Sequence, residues 1–150
     1  MIRPGADAPE FTLLDQDENP VSLSDFAGSK LVIAFYPGDF SQVCTDQLSV
    51  YQEVLPDIES RGAALVGISV DSHHSHRAFR EKLGLTIPLL ADFHPKGAVT
   101  SAYGAYIEDR GHGNRSLVLV DEAGKVAWVH ASPTPLEIPG ANLIFDALAA

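Results

Sequence analysis

Pro37, Ser41 and Cys44 share one short stretch, Tyr36-Pro37-Gly38-Asp39-Phe40-Ser41-Gln42-Val43-Cys44, and Cys44 is the only cysteine in the 150 residues. A thiol, a hydroxyl three residues before it and a proline seven before it are a set from which thiolate chemistry can be built. The thiolate is the reactive form of cysteine, and its oxidation passes first through sulfenic acid. Position alone does not decide the matter. A free cysteine on the apolar face of a helix also serves as a small inert hydrophobe.

The elements around the cysteine must place it. Leu31-Val32-Ile33-Ala34-Phe35-Tyr36 is a continuous apolar run rich in β-branched and aromatic residues, which reads as a strand buried on both faces and stopped by Pro37. Gly38, Asp39 and Ser41 supply turn and N-cap chemistry. Cys44, Leu48, Tyr51, Leu55 and Ile58 then recur at steps of four and three, one face of an amphipathic helix. Cys44 falls in the first turn of that helix, where unpaired N–H groups and the helix dipole favour thiolate over thiol. Thiolate formation is a small lever, however. Moving any thiol from ~8.5 to ~6 gains roughly thirty-fold in anion at neutral pH and returns about ten-fold as lost nucleophilicity. A fast reaction therefore needs groups that stabilise charge on a departing atom.

The spacing P-x-x-x-(T/S)-x-x-C behind an apolar strand resembles the active-site motif of the peroxiredoxins, thiol peroxidases of thioredoxin-like fold. Two more segments are similar to that family: Pro88-Leu89-Leu90-Ala91-Asp92, and Asn114-Arg115-Ser116 ahead of Leu117-Val118-Leu119-Val120-Asp121. The likeness runs from about Pro4 to the last helix. It implies that Cys44 attacks peroxide, that Arg115 and Ser41 hold thiolate and peroxide together, with backbone N–H groups near Val43 and Cys44 assisting, and that Pro37 shields the sulfur from water. The chain departs from the pattern at Ser41, where most relatives have threonine, and at Gln47, where many have glutamate. The second departure questions the hydrogen-bond network behind the site. Ser49 stands where some relatives place a resolving cysteine, so the implied cycle uses one cysteine and an external thiol, low-molecular-weight or carried by a thioredoxin- or glutaredoxin-like protein. Asp92-Phe93-His94-Pro95-Lys96-Gly97-Ala98-Val99 with Ala102-Tyr103-Gly104 looks most like the AhpE-type one-cysteine branch, whose members commonly form homodimers. The substrates implied are hydrogen peroxide, alkyl hydroperoxides or peroxynitrite. The competing reading is a peroxide sensor or holdase-type binding protein on the same fold; a thiol–disulfide oxidoreductase is disfavoured because C-x-x-C is absent.

The rest of the chain is expected to form one domain with a mixed central sheet and helices on both faces. Residues 11–15 and 21–23 read as a strand pair, 24–28 as a capped turn, and Ala63 to Val70 as a second buried strand parallel to the first. Pro56 should kink or divide the cysteine helix and Gly62 close it. Asp71 or Ser72 caps a helix carrying Phe79 and Leu83 inward and ending at Gly84. A short strand at 88–90 starts at, or lies on the edge near, its proline. A short helix at 98–103 stops at Gly104, 105–113 is loop, and 117–120 with 126–129 form a hairpin before a final helix bearing Leu143, Ile144 and Leu148.

A formal charge of −10 argues against nucleic acid or an anionic membrane surface as partner. Met1-Ile2-Arg3-Pro4-Gly5 runs into polar residues rather than a signal-type apolar segment, and no run reaches membrane-spanning length. A single cysteine excludes an intrachain disulfide, which fits a cytoplasmic protein. No cofactor is expected. His73, His74 and His76 read as a solvated helix start rather than a metal site, His94, His112 and His130 are scattered, and Tyr103 and Tyr106 read as packing residues.

Overall fold

The computed structural model describes residues 1–150. Seven strands form one mixed sheet: β1 (Thr12–Leu14), β2 (Pro20–Ser22), β3 (Lys30–Phe35), β4 (Ala63–Ser69), β5 (Leu89–Ala91), β8 (Ser116–Val120) and β9 (Val126–Ala131), in the order β2-β1-β5-β4-β3-β8-β9. A two-stranded ribbon, β6 (Tyr106–Ile107) with β7 (His112–Gly113), lies in the segment expected to be all loop. The helices are α1 (Gln42–Ser60), α2 (His73–Leu83), α3 (Ala98–Ala102) and α4 (Ala141–Ala149), with a 3-10 turn at Leu23–Phe26.

β3, β4 and β5 are parallel and step across the sheet in one direction. Right-handed crossovers taken in one direction put their helices on one face, so α1 and α2 lie together. Val32, Ala34 and Tyr36 of β3 and its extension face Leu48, Tyr51, Leu55 and Ile58 of α1, Phe79 of α2, and Ile144 and Leu148 of α4. The alternate residues Leu31, Ile33 and Phe35 face the other layer, built from Phe11, Leu23, Tyr103 and Ala105 rather than from long helices. Helical cover is thus unequal: three helices on one face, α3 and the 3-10 turn on the other. Burial on both sides is why β3 reads as an unbroken apolar run.

Pro56 sits inside α1, which continues through it to Ser60. The proline sacrifices one backbone donor, but Leu55 and Ile58 on either side are buried in the core, and that packing holds the last turn. The helix closes at Gly62, whose φ of 77° suits a residue without Cβ. Pro88 immediately precedes β5, which lies between β1 and β4; the proline marks a strand start, not a sheet edge.

Candidate active site

The site begins where β3 ends. Tyr36 still bonds to β4 through its N–H to the Ile68 carbonyl at 3.1 Å, after which Pro37 turns the chain out of the sheet. Ser41 caps α1: its Oγ accepts the Cys44 N–H at 3.2 Å, leaving the hydroxyl proton free to donate elsewhere. The Cys44 N–H is therefore spent on the cap and is not available to a substrate, contrary to the expectation for that group. Cys44 is fully buried and belongs to the main core cluster.

Arg115 arrives by register. β3 and β8 are antiparallel with Phe35 opposite Ser116, so Arg115, just outside β8, leaves the sheet at the level of Tyr36 and Pro37. The residue is 1% exposed, and each nitrogen of its guanidinium has its own acceptor. Nη2 donates to Cys44 Sγ at 3.3 Å, Nε to the Pro135 carbonyl at 2.8 Å, and Nη1 to Gln47 Oε1. An arginine taken at random is a surface ion-pair residue; this one is a buried fork whose contacts carry no carboxylate. The only atom among its three partners able to hold a negative charge is the sulfur.

Gln47 and Tyr51 were not assigned roles from sequence, and the structure puts both behind the arginine. Gln47, fully buried one turn after Cys44, accepts from Arg115 and donates from Nε2 to Tyr51 Oη at 3.2 Å. Tyr51 Oη in turn donates to the Pro139 carbonyl at 2.7 Å. The network questioned because of the glutamine is intact, in neutral form. Burial pushes the Tyr51 phenol up to about 12, against smaller lowering effects from Gln47 and the Arg115 charge. The sequence signal was present: Gln47 is a long polar residue beside the apolar stripe of α1. Pro135 and Pro139 gave none, since a carbonyl acts at a site whatever its side chain.

The histidine run behaves differently from expectation. His74 is exposed and His73 pairs with Glu18 at 3.2 Å, but His76 is buried with its Nδ1 2.7 Å from Asp39 Oδ2. A helix start that reads as solvated on composition turns its third histidine inward, one turn before buried Phe79. Tyr103 packs as expected, donating its hydroxyl to the Pro9 carbonyl at 2.7 Å.

A lone cysteine in a capped first turn thus lies against an arginine from just ahead of β8 in a thioredoxin-like sheet, the arrangement of a thiol peroxidase. The chain belongs to the AhpC/TSA family, whose model matches residues 4–129. It is 37% identical over 151 aligned positions to alkyl hydroperoxide reductase E of Mycobacterium tuberculosis, covering 100% of this chain and 98% of that protein. Among solved structures it resembles the reduced 2-Cys peroxiredoxin of Plasmodium vivax, with a TM-score of 0.89 and 25% identity over 100% of this chain and 82% of that one. AhpC of Enterococcus faecalis superposes with a TM-score of 0.90 at 26% identity, covering 99% and 92%. With one cysteine, this chain is of the one-cysteine type.

Proposed function

We propose that Cys44 is the sulfur that reduces peroxide and that Arg115, Ser41 and Pro37 are the groups that make it fast. The observation carrying this reading is the 3.3 Å contact between Arg115 Nη2 and Cys44 Sγ. The Cys44 thiolate attacks the terminal oxygen of ROOH in line with the O–O bond. An S–O bond forms, the O–O bond breaks with its electron pair, and the departing RO⁻ takes a proton as ROH; protonated sulfenate, Cys–SOH, remains. Charge grows on the departing oxygen, and the donors assigned to it are the Arg115 fork, in contact with the sulfur, and the free proton of Ser41. Pro37, between the end of β3 and the cap of α1, is assigned the role of limiting competing water. An external thiol R′SH then displaces water from Cys–SOH to give Cys44–S–S–R′, and a second thiol releases the Cys44 thiolate with formation of R′–S–S–R′.

The substrate class is hydrogen peroxide, alkyl hydroperoxides or peroxynitrite, and the reductant a small thiol or a thioredoxin- or glutaredoxin-like protein. The protein acts as one domain, 1–150, in the cytoplasm and as a homodimer. Support for the last comes from β9, which ends the sheet and has no strand on its outer side beyond Val126, whose own backbone bonds to Gly5 and Ala6. No helix is long and apolar enough to cross a membrane. The complete burial of Cys44 favours a second reading, slow oxidation serving as a signal. Mixing the protein with less than one equivalent of peroxide, followed through Trp128, separates the two. A second-order rate constant orders of magnitude above that of free cysteine is expected; a value near that of free cysteine refutes the peroxidase assignment for Cys44.

A further inference from the structure

Between the active-site loop and α2 lies a buried polar cluster that the peroxide chemistry does not use. Asp39 stands in the loop that carries Pro37 and Ser41. Its Oδ1 accepts from Tyr36 Oη at 2.6 Å, and its Oδ2 accepts from Ser75 Oγ at 2.8 Å and meets His76 Nδ1 at 2.7 Å. The backbone of the same residue is held too, the Asp39 N–H donating to Asp71 Oδ2 at 2.8 Å. Asp71 is itself fixed by Ser69 Oγ at 2.6 Å. The side chains of Asp39 and His76 are both wholly buried.

The neighbours of the His76 ring limit where its hydrogens can sit. Nε2 lies 3.1 Å from the Leu90 carbonyl of β5, which can only accept, so Nε2 carries a hydrogen. Nδ1 lies against a carboxylate oxygen and, at 3.3 Å, a Tyr36 oxygen whose proton already points to Asp39, so Nδ1 carries one as well. A neutral ring has one hydrogen and would set a lone pair against one of these acceptors. With Asp39 ionised, two donors on one ring make an imidazolium.

The loop needs such a hold. Phe40, next to Asp39, has a φ of 66°, a left-handed conformation that costs a non-glycine residue energy. Its ring rests on Phe79 of α2, with centroids 5.1 Å apart, but is half exposed. Asp39 and Phe40 thus tie the loop to α2 from two sides, and the cap of Cys44 begins at the next residue.

We infer that the buried Asp39–His76 ion pair, with His76 as imidazolium, is a positioning device that holds the Pro37–Ser41 loop over Cys44 and makes peroxide reactivity fall when His76 loses its proton. Deprotonation leaves either the Asp39 or the Leu90 contact repulsive, and the strained loop is released from α2. The titratable and charged groups around His76 are Tyr36 at the end of β3, Asp39 in the loop, Asp71 in the β4–α2 connection, and His73 and Arg80 about a turn away on α2. β5 presents only a carbonyl, and Asp92 beyond it is committed to Val99 and Thr100. Burial, followed by the nearby Asp39 charge, raises the Tyr36 phenol well above its usual range, so Tyr36 remains a donor to Asp39 across neutral pH.

The inference rests on Cys44 being the sulfur oxidised, and its test has one arm that does not. Nitrogen-15 NMR of the intact protein, with His76 assigned by comparison with His76→Asn, reads the ring directly. Both ring nitrogens protonated with slowly exchanging hydrogens at neutral pH are expected; a neutral single-tautomer pattern overturns the inference whatever the enzyme's activity. In the kinetic arm, the rate constant for Cys44 oxidation in wild type should fall on the alkaline side in step with the His76 NMR titration. Asp39→Asn, which keeps the shape but removes the counter-charge, should slow oxidation roughly ten- to hundred-fold, the range for misplacing a reacting group by about an ångström. His76→Asn, which keeps a donor toward Asp39 without a titrating ring, should retain more activity than His76→Leu and lack the alkaline fall. A pH profile identical in wild type, Asp39→Asn and His76→Asn overturns the coupling, and does so without touching the assignment of Cys44 if all three remain fast.

Discussion

Replacing Arg115 is the sharpest perturbation, because two effects of the guanidinium predict very different losses. If Arg115 acted only by keeping the sulfur ionised, the trade between anion fraction and nucleophilicity would limit its removal to about three-fold. If it stabilises charge on the departing oxygen, removal costs what a preorganised oxyanion donor is worth, ~10²–10³ in rate or about 3–4 kcal/mol. The fork geometry sharpens the test. Nε, Nη1 and Nη2 serve the Pro135 carbonyl, Gln47 Oε1 and Cys44 Sγ separately. A lysine keeps the charge, but its single compact head cannot satisfy three acceptors around a planar fork. Arg115→Lys should therefore fall between wild type and Arg115→Ala. Arg115→Ala also strands Gln47 Oε1 and the Pro135 carbonyl, at about 1–3 kcal/mol each, so a thermal melt must show that the variant is folded at the assay temperature. The assay mixes excess protein with hydrogen peroxide and follows Trp128, which packs against the same core cluster as Cys44. The rate constant at each pH is divided by the thiolate fraction of that variant, read from its ultraviolet absorbance, so that ionisation no longer differs between variants. A loss confined to about three-fold, or one that vanishes once thiolate fractions are equalised, refutes the transition-state role.

Gln47→Glu would place a carboxylate against the guanidinium and give Arg115 a second negative partner. The arginine then divides its charge between the new carboxylate and the sulfur, and oxidation at neutral pH should slow about three-fold, the roughly ten-fold cost of one unit of proton affinity less the nucleophilicity it returns; an unchanged rate would show that the neutral glutamine has no part in tuning the site. Tyr51 carries an alkaline prediction. Its folded value of about 12 exceeds the ordinary 10.0, so above pH 10.0 the unfolded chain gives up a phenolic proton that the folded chain keeps. Stability is then whole below pH 10.0 and falls at about 1.4 kcal/mol per pH unit until the folded phenol itself ionises. Burial raises Tyr36 and Tyr103 in the same direction. Denaturant melts from about pH 9 upward, with phenolate absorbance recorded alongside, should show these tyrosines ionising together with unfolding; a separate ionisation in the folded protein at ordinary tyrosine pH would contradict the burial argument.

Much of the fold was legible because the periodicity of an element depends on what covers it. The unbroken apolar run at 31–36 marks a strand covered on both sides, and the four-and-three spacing from Cys44 to Ile58 marks a helix covered on one. Ser41, Ser72, Gly62 and Gly84 punctuate the helices as their cap chemistry requires. Pro56 does not divide α1, because the long-range burial of Leu55 and Ile58 offsets a backbone cost that is all the local sequence displays. The small ribbon of β6 and β7 was invisible because two paired residues per strand are too few for a pattern.

By itself the sequence determined the seat of the lone thiol in the first turn of a helix and the strand–helix–strand frame beneath it, since each depends on neighbours within a few turns of chain. Tertiary structure alone decided what the sulfur faces. The antiparallel register of β3 and β8 delivers Arg115, the segment after β9 delivers two backbone carbonyls, and helix packing turns Gln47, Tyr51 and His76 inward. These partners lie up to 95 residues from Cys44 along the chain, and nothing local to any of them encodes the meeting. Only burial of both faces of the sheet brings them within hydrogen-bonding distance, where the loss of water obliges every donor to find an acceptor.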